Sequence, residues 1–366
     1  MLCVLFASME KLESVIVNTV FREDEPKKQF ISGDIAKKYL VKYSKIIKEL
    51  SSYYVENKKD KIISQMQEND VVNAYALYYL PINFYKISFL FSKISKDLFK
   101  EKNHINLLDY GCGPATGAIA ASDYFKNLNV NLSFTLFDKS LPMLNLGKKL
   151  LKGYAENDVL ITSNINDVRK KKYDVITLLN AINELTNEEL NKLFEDINFL
   201  LDSNGILIIL EPALKDLARR LMMFRDKILE KYKFSILYPC FHLDKCQMIN
   251  SENDWCHGEI LGLNSKLVRQ FDEITGFNKH KIKYSSIILY KNENFKNVND
   301  NFCRIVNIPK ETNRGLVLNL CGKDCFKEVT VSKNKLKENK RLKKLKFFDE
   351  INKDEIGGVD ISGSAS

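Results

Sequence analysis

The period of the apolar positions changes partway along the chain, and the change divides it. From about Asp34 to Lys96 the pattern is helical: Gly33-Asp34 supplies a start, and Tyr39, Val41, Ile46, Ile47 and Leu50 recur near helical spacing. The stretch Val71–Phe99, rich in Tyr and Phe, continues this helical layer. Pro81 is expected to split it into two helices, because proline removes a backbone donor and clashes with the preceding turn. From Ile105 the pattern becomes short apolar runs. Ile105–Gly111, Ser133–Asp138, Asp158–Thr162, Tyr173–Asn180 and Gly205–Pro212 read as buried strands. Ala115–Phe125, Leu141–Leu151 and Asn187–Leu201 read as helices between them. Strands alternating with helices predict a parallel sheet covered on both faces, with Ile282–Tyr290 as a later strand.

Tyr238–Gly262 interrupts this rhythm. Beyond Val298, "RGLVLNLC" and "KEVTVSK" alternate like two strands of a small β unit, and Lys333–Lys346 forms a basic run. The expected organisation is an N-terminal helical region (1–99) and a sheet domain (100–297) with a cysteine-rich insertion (238–262). A C-terminal β unit with the basic segment (298–350) and a flexible Gly/Ser-rich tail (351–366) complete it.

The first strand ends in Asp109-Tyr110-Gly111-Cys112-Gly113-Pro114-Ala115-Thr116-Gly117. Glycines at such a turn let backbone approach a ligand, and the next helix aims free N–H groups into the same crevice. The second strand closes on Asp138, placed to accept the ribose hydroxyls of an adenosine. The third glycine comes one position late for a dinucleotide fingerprint. The Asp-x-Gly-x-Gly order instead looks like the first motif of S-adenosylmethionine (SAM) enzymes, with Asp109 meeting the cationic amino end of SAM directly or through water. The expected fold class is therefore α/β, a class I SAM-methyltransferase Rossmann-like sheet. Asp109, Gly111, Gly113, Thr116, Asp138, Asn164 and Asn180 are its expected cofactor-binding residues. Asn164 or Asp167 is placed to touch the adenine, and Asn180 and Asn183 to lie near the transferred methyl. Glu184 reads as a helix N-terminal carboxylate. No catalytic residue is identified.

The net charge of +9 permits a nucleic-acid partner. Nine Lys/Arg against two acids from Lys327 to Lys346 could neutralise RNA phosphates. No apolar run reaches the length of a membrane helix, and Met1–Ala7 is too short for a signal peptide. The expectation is a cytoplasmic monomer without membrane attachment, or one in a mitochondrion-like compartment if the source is eukaryotic. Of eight cysteines, Cys240, Cys246 and Cys256 fall within 17 residues. Their spacing fits zinc, an iron–sulfur cluster or free buried thiols alike.

The segment "YPCFHLDKCQMINSENDWCHG" resembles the Pro-Cys-Pro-His…Cys-Pro…Asp-Trp-Cys-His stretch of the methyltransferase-like family associated with the mitochondrial small ribosomal subunit, which has bacterial relatives. "AYALYYLPINFYKI", "DYGCGPATGAIAA" and "FCRIVNIPKETNRGLVLNLC…EVTVSK" are similar to its other segments, over roughly residues 70–350. Phe241 and Gln247 stand where prolines are usual, and the gap before Cys256 is longer. The resemblance implies a 4Fe–4S cluster on Cys240, Cys246, Cys256 and Cys321, with Cys325 and Cys303 in reserve and zinc as the alternative metal. It also implies action on the small ribosomal subunit and its rRNA. The leading expectation is a SAM-dependent methyltransferase-like protein of subunit assembly. The alternatives are a non-catalytic assembly factor on the same fold, and a small-molecule methyltransferase with a zinc-stapled lid.

Overall fold

The computed structural model describes residues 2–21, 35–56, 61, 64–252, 254–292, 294–295, 299–323 and 325–356. Gly33-Asp34 and the tail from 357 onward lie outside them. The chain forms two compact units, one of residues 1–202 with 260–282, the other of 203–259 with 283–366.

In the first unit, helices α1 (Leu2–Phe21), α2 (Lys37–Val55) and α3 (Asn69–Phe91) precede the sheet. Pro81 does not split α3, which runs unbroken through it. The helix packs against α1, α2 and the Lys266–Thr275 helix. Leu77, Leu80, Phe84, Ile87 and Leu90 are all fully buried. Their burial, roughly 10 kcal/mol at about 2 kcal/mol per side chain, outweighs the roughly 3 kcal/mol that an internal proline costs.

The sheet of this unit holds β1 (His104–Tyr110), β2 (Asn131–Phe137), β3 (Asp158–Thr162) and β4 (Tyr173–Leu179). Their order is β3-β2-β1-β4, and β1 runs parallel to β2 and β4 and β2 to β3. Between them lie α4 (Thr116–Phe125), α5 (Leu141–Tyr154) and, after β4, α6 (Asn187–Leu200). Local signals set their starts. Ser140 caps α5 by accepting from Met143 N–H, and Thr186 with Glu189 forms a reciprocal capping box on α6. Leu190, Leu193, Phe194, Ile197 and Leu200 then bury one stripe of α6. Every residue of β4 is buried, as a central strand covered on both faces requires.

The second unit contains β5 (Leu201–Glu211), α7 (Lys215–Lys231), β6 (Ser235–Tyr238), β7 (Gly258–Leu261) and β8 (Lys281–Tyr290). β8 runs antiparallel to both β5 and β6. Parallel strands in the order 3-2-1-4, and a late antiparallel strand inserted between two others, are the two marks of the class I methyltransferase-type Rossmann-like sheet expected from the sequence. The chain then builds a separate sheet from β9 (Phe302–Ile305), β10 (Lys310–Glu311), β11 (Gly315–Gly322), β12 (Cys325–Ser332) and β13 (Glu350–Asn352). Helix α8 (Lys333–Glu338) follows β12. Ile305, Leu318, Leu320, Val331, Leu342 and Ile351 are among the residues of this sheet's own core. Among the described residues no helix is long and apolar enough to cross a membrane.

Candidate functional site

The glycine turn follows β1, and three of its residues need left-handed backbone: Gly111 (φ 66°), Gly113 (φ 50°) and Ala115 (φ 63°). Glycine adopts this region without the Cβ penalty that Ala115 bears. The turn is tied to β2 by Gly111 N–H and Cys112 N–H, both donating to Phe137 O at 2.8 and 3.0 Å. A Cβ on Gly113 would meet nothing within 4 Å, so the backbone there faces open space. On the other side the packing is tight. A Cβ on Gly147 of α5 would come within 3.0 Å of Gly113 O.

Asp109 sits wholly buried behind this turn. One carboxylate oxygen accepts from Ala118 N–H (3.0 Å), the other from the Thr177 hydroxyl (2.7 Å). Thr177 is the register partner of Asp109 on β4. A Cβ on Gly117 would strike both side chains at 2.6 Å, which explains the third glycine. Burial pushes the Asp109 carboxyl up to about 7, against the pull of the Thr177 and Ala118 hydrogen bonds and with a smaller push from Asp138. Asp109 thus orders the start of α4 from behind. Thr116, the first residue of α4, is buried beside it.

Asp138 reaches the front of the turn. Its carboxylate accepts from Gly113 N–H (2.8 Å) and Ser140 N–H (2.9 Å). Burial raises its pKa, opposed by those bonds. Each oxygen keeps lone pairs for further donors. Asn164 caps the one-turn helix Ile165–Val168 by accepting from Asn166 N–H. Asp167 accepts from Thr162 and Lys170. Asn180 takes a left-handed conformation (φ 55°) after β4, and Ala181 lies against Gly111. Among the described residues, the buried amide oxygens of Asn180 and Asn183 have no hydrogen-bond partner. The side chain of Glu184 lies outside the described residues. The ends of β1, β2 and β4 thus meet at the turn. Thr177 and Gly147 are the participants that sequence reading misses. A separate crevice of about 210 Å³, lined by residues including Ser8, Lys11, Asp123 and Lys126, lies along α1 and α4. Its polar groups pair with one another, Ser8 and Lys126 both donating to Asp123.

The cysteine-rich insertion is gripped by one helix. From α7, Lys215 donates to Glu252 O, Arg219 to Ser251 O, and Asp226 accepts Cys246 N–H at 3.0 Å. Arg225 is fully buried; it donates to His242 O (2.8 Å) and Asp244 O (2.5 Å) and pairs with Asp226. The Trp255 indole donates to Ala213 O (2.8 Å), and Ser285 to Cys256 O (3.0 Å). His257 stacks on Trp255 and lies tilted against Phe347, and its Nδ1 is engaged by Trp255 O.

Cys256 is the hub of the cluster. Burial pushes its thiol well up, and Cys246, Cys240 and Cys321 add to the push through their charge. Burial, then Cys240, likewise pushes Cys246 up to about 12. The charges of Cys240, Cys246 and Cys321 thus all act on Cys256. Among the described residues, however, no three or more His, Cys, Asp or Glu side chains stand in a closed metal-holding group. Cys303 belongs elsewhere: it is fully buried in the small sheet's apolar core, against Gly322. The side chain of Cys325 lies outside the described residues. Arg304, which sequence reading also passes over, opposes Cys321 across β9 and β11.

Solved structures with some likeness to the chain include three methyltransferases. Magnesium protoporphyrin IX methyltransferase from Synechocystis PCC 6803 is 12% identical (64% of this chain, 99% of that one, TM-score 0.39). A putative class I SAM-dependent methyltransferase from Listeria monocytogenes is 13% identical (78% and 88%, TM-score 0.39). Ribosomal protein L11 methylase from Lactobacillus delbrueckii subsp. bulgaricus is 20% identical (42% and 69%, TM-score 0.31). A search of curated proteins finds no match. A family profile described as mitochondrial small ribosomal subunit Rsm22 matches residues 34–352, and the chain belongs to that family.

Proposed function

We propose that this chain binds SAM at the strand ends of its first unit and acts on the small ribosomal subunit, with a thiolate-bound metal centre in its second unit. The observation that carries the SAM reading is the bond from Gly113 N–H to Asp138, which joins the glycine turn to the carboxylate closing β2. A SAM ribose beside it would find acceptor lone pairs on Asp138, and the open space at Gly113 admits close approach to backbone. Asp109, held behind the turn, shapes it. Asn164 is left to the adenine side and Asn180 to the methyl side. The unpartnered amide oxygens of Asn180 and Asn183 fit a ligand that brings donors. When bound, SAM supplies an electrophilic methyl group; the residues of this chain would orient an acceptor toward it, and proximity would provide much of the acceleration.

Asn180 and Asn183 accept hydrogen bonds but do not take up a proton. That favours a second reading, a non-catalytic assembly factor in which SAM stabilises an RNA-binding shape.

The metal reading is supported by the donor chemistry and neighbourhood of Cys240, Cys246, Cys256 and Cys321. These residues would hold a 4Fe–4S cluster or zinc. RNA contact is supported by the basic segment, where Leu336, Leu342 and Leu345 are buried while Lys333, Lys337, Lys340, Lys343, Lys344 and Lys346 are exposed. Co-sedimentation with small-subunit particles, combined with methyl transfer from labelled SAM to isolated small-subunit RNA, tests the proposal. Both are expected. Co-sedimentation without transfer selects the assembly factor, and the absence of both rejects the ribosomal reading.

A further inference from the structure

Arg304 is a buried cation whose ion-pair partner among the described residues is distant and exposed. The residue is 8% exposed. Its guanidinium spends its donors on carbonyls: Nε and Nη2 donate to Pro239 O (3.3 and 2.8 Å), and Nη1 to Phe348 O (3.1 Å). Aromatic rings enclose it, with Phe241 at 4.8 Å and Tyr238 and Phe348 at 5.3 Å. Among the described residues its ion-pair partner is Glu350, 3.8 Å away and 56% exposed, too distant and too wet to neutralise it. A charge taken out of water into such a cage costs several kcal/mol unless an opposite charge lies close. Arg225 differs: it is as deeply buried, but Asp226 lies directly on it. Even so, its Nε is buried without a hydrogen-bond partner.

The position of Arg304 identifies the missing anion. On β9 it faces Cys321 of β11, on the opposite side from the core residue Cys303. The carbonyl it grips, that of Pro239, immediately precedes Cys240. Its charge also acts on Cys256. One guanidinium therefore stands opposite Cys321 and grips the backbone at Cys240, two stretches far apart in the chain. A set of four thiolates around Zn(II) or a 4Fe–4S cluster carries net negative charge, which water screens only in part where Cys246 is buried and Cys240, Cys256 and Cys321 are half-buried.

We propose that Arg304 is the counter-cation of the Cys240, Cys246, Cys256 and Cys321 thiolate centre and that it pins the β9–β11 sheet to the cysteine loop. This rests on the thiolate-centre reading above. Arg304 is a positioning residue, not a ligand, and Arg225 with Asp226 fixes the same loop from α7.

The test uses the full chain, purified anaerobically as the parent, R304M and R304K. Bound iron, acid-labile sulfide and zinc are measured, together with melting temperatures before and after metal removal by a chelator. A counter-cation role predicts opposite signs in the two states. R304M should hold less than half the parent's metal and melt lower when loaded, yet melt no lower than the parent once metal is removed, because an uncompensated charge has gone. R304K, which keeps the charge, should retain more metal than R304M. If R304M lowers both melting temperatures equally, or if R304K loses as much metal as R304M, Arg304 serves packing alone and the proposal is overturned. If the parent itself carries no metal, the thiolate-centre reading fails first.

Discussion

The glycine turn and the cysteine cluster are both buried, polar and built around backbone hydrogen bonds, yet they differ in how far the chain satisfies them alone. At the turn, Asp109 and Asp138 each hold two donors from their own chain. The turn itself is preorganised, and the unpartnered amide oxygens at this site, those of Asn180 and Asn183, lie after β4 rather than in the turn. At the cluster, Arg304 has carbonyls, rings and the exposed Glu350 at 3.8 Å beside it, and among the described residues Arg225 Nε and His242 Nδ1 have no hydrogen-bond partner. Buried groups left in this condition are costly. The contrast teaches that ligand loss should leave the first region folded and loosen the second.

The sharpest way to break this comparison is at Cys321. Apparent binding energies of structural thiolate sites reach roughly 10 kcal/mol and enter folding directly. Cys321→Ser should lower metal content and raise protease sensitivity of the β9–β13 sheet, while Cys303→Ser should leave metal content unchanged. Equal metal loss in both variants would show that position relative to the cluster does not matter. Full metal in Cys321→Ser with loss in Cys325→Ser would transfer the fourth ligand to Cys325.

Next in size is the pH response of Asp109. The fold raises this carboxyl from an ordinary 3.8 to about 7, so the native state binds the proton more tightly than the unfolded chain. Between about pH 4 and pH 7 the native state holds more protons, and this group's contribution to stability falls as pH rises through that window. Asp109→Asn keeps an acceptor for Ala118 N–H and carries no charge. Relative to the parent it should gain roughly 3 kcal/mol of stability from pH 5 to pH 8. Urea melts of the two proteins that decline in parallel over this range would contradict the assignment.

These two regions also show what sequence can reveal. The Asp109–Gly117 motif and Asp138 are legible because a turn and its strand end are local in the chain. Thr177 and Gly147 are not, since their roles arise from β1–β4 register and from the approach of α5 to the turn. Spacing alone does not rank Cys303 against Cys321, and it is the resemblance that prefers Cys321; β9–β11 pairing then puts Cys303 in an apolar core and Cys321 opposite Arg304. Pro81 misleads because the local cost of a helix breaker carries no information on the packing that encloses α3.

A smaller effect is expected at Asp138. Asp138→Ala removes an acceptor of ribose hydroxyls and should weaken SAM by roughly 1.5–3 kcal/mol per lost bond, read by calorimetry. Because the same carboxylate braces Gly113 and Ser140, the variant's melting temperature must be followed alongside. Unchanged affinity rejects the ribose assignment. The smallest effect belongs to the basic segment. Replacing Lys337, Lys340, Lys343 and Lys344 by Gln should reduce affinity for small-subunit RNA and flatten its dependence on salt. An unaltered salt slope would make these lysines a solvated surface.

The proposal that the cysteine-rich region holds a metal is tested most directly by purifying the full chain anaerobically. Its absorption spectrum would be recorded, and iron, acid-labile sulfide and zinc determined per chain. The account predicts a stoichiometric thiolate-bound centre: iron with sulfide and a visible charge-transfer band for a cluster, or one zinc in its place. A well-folded protein containing neither iron nor zinc would contradict it.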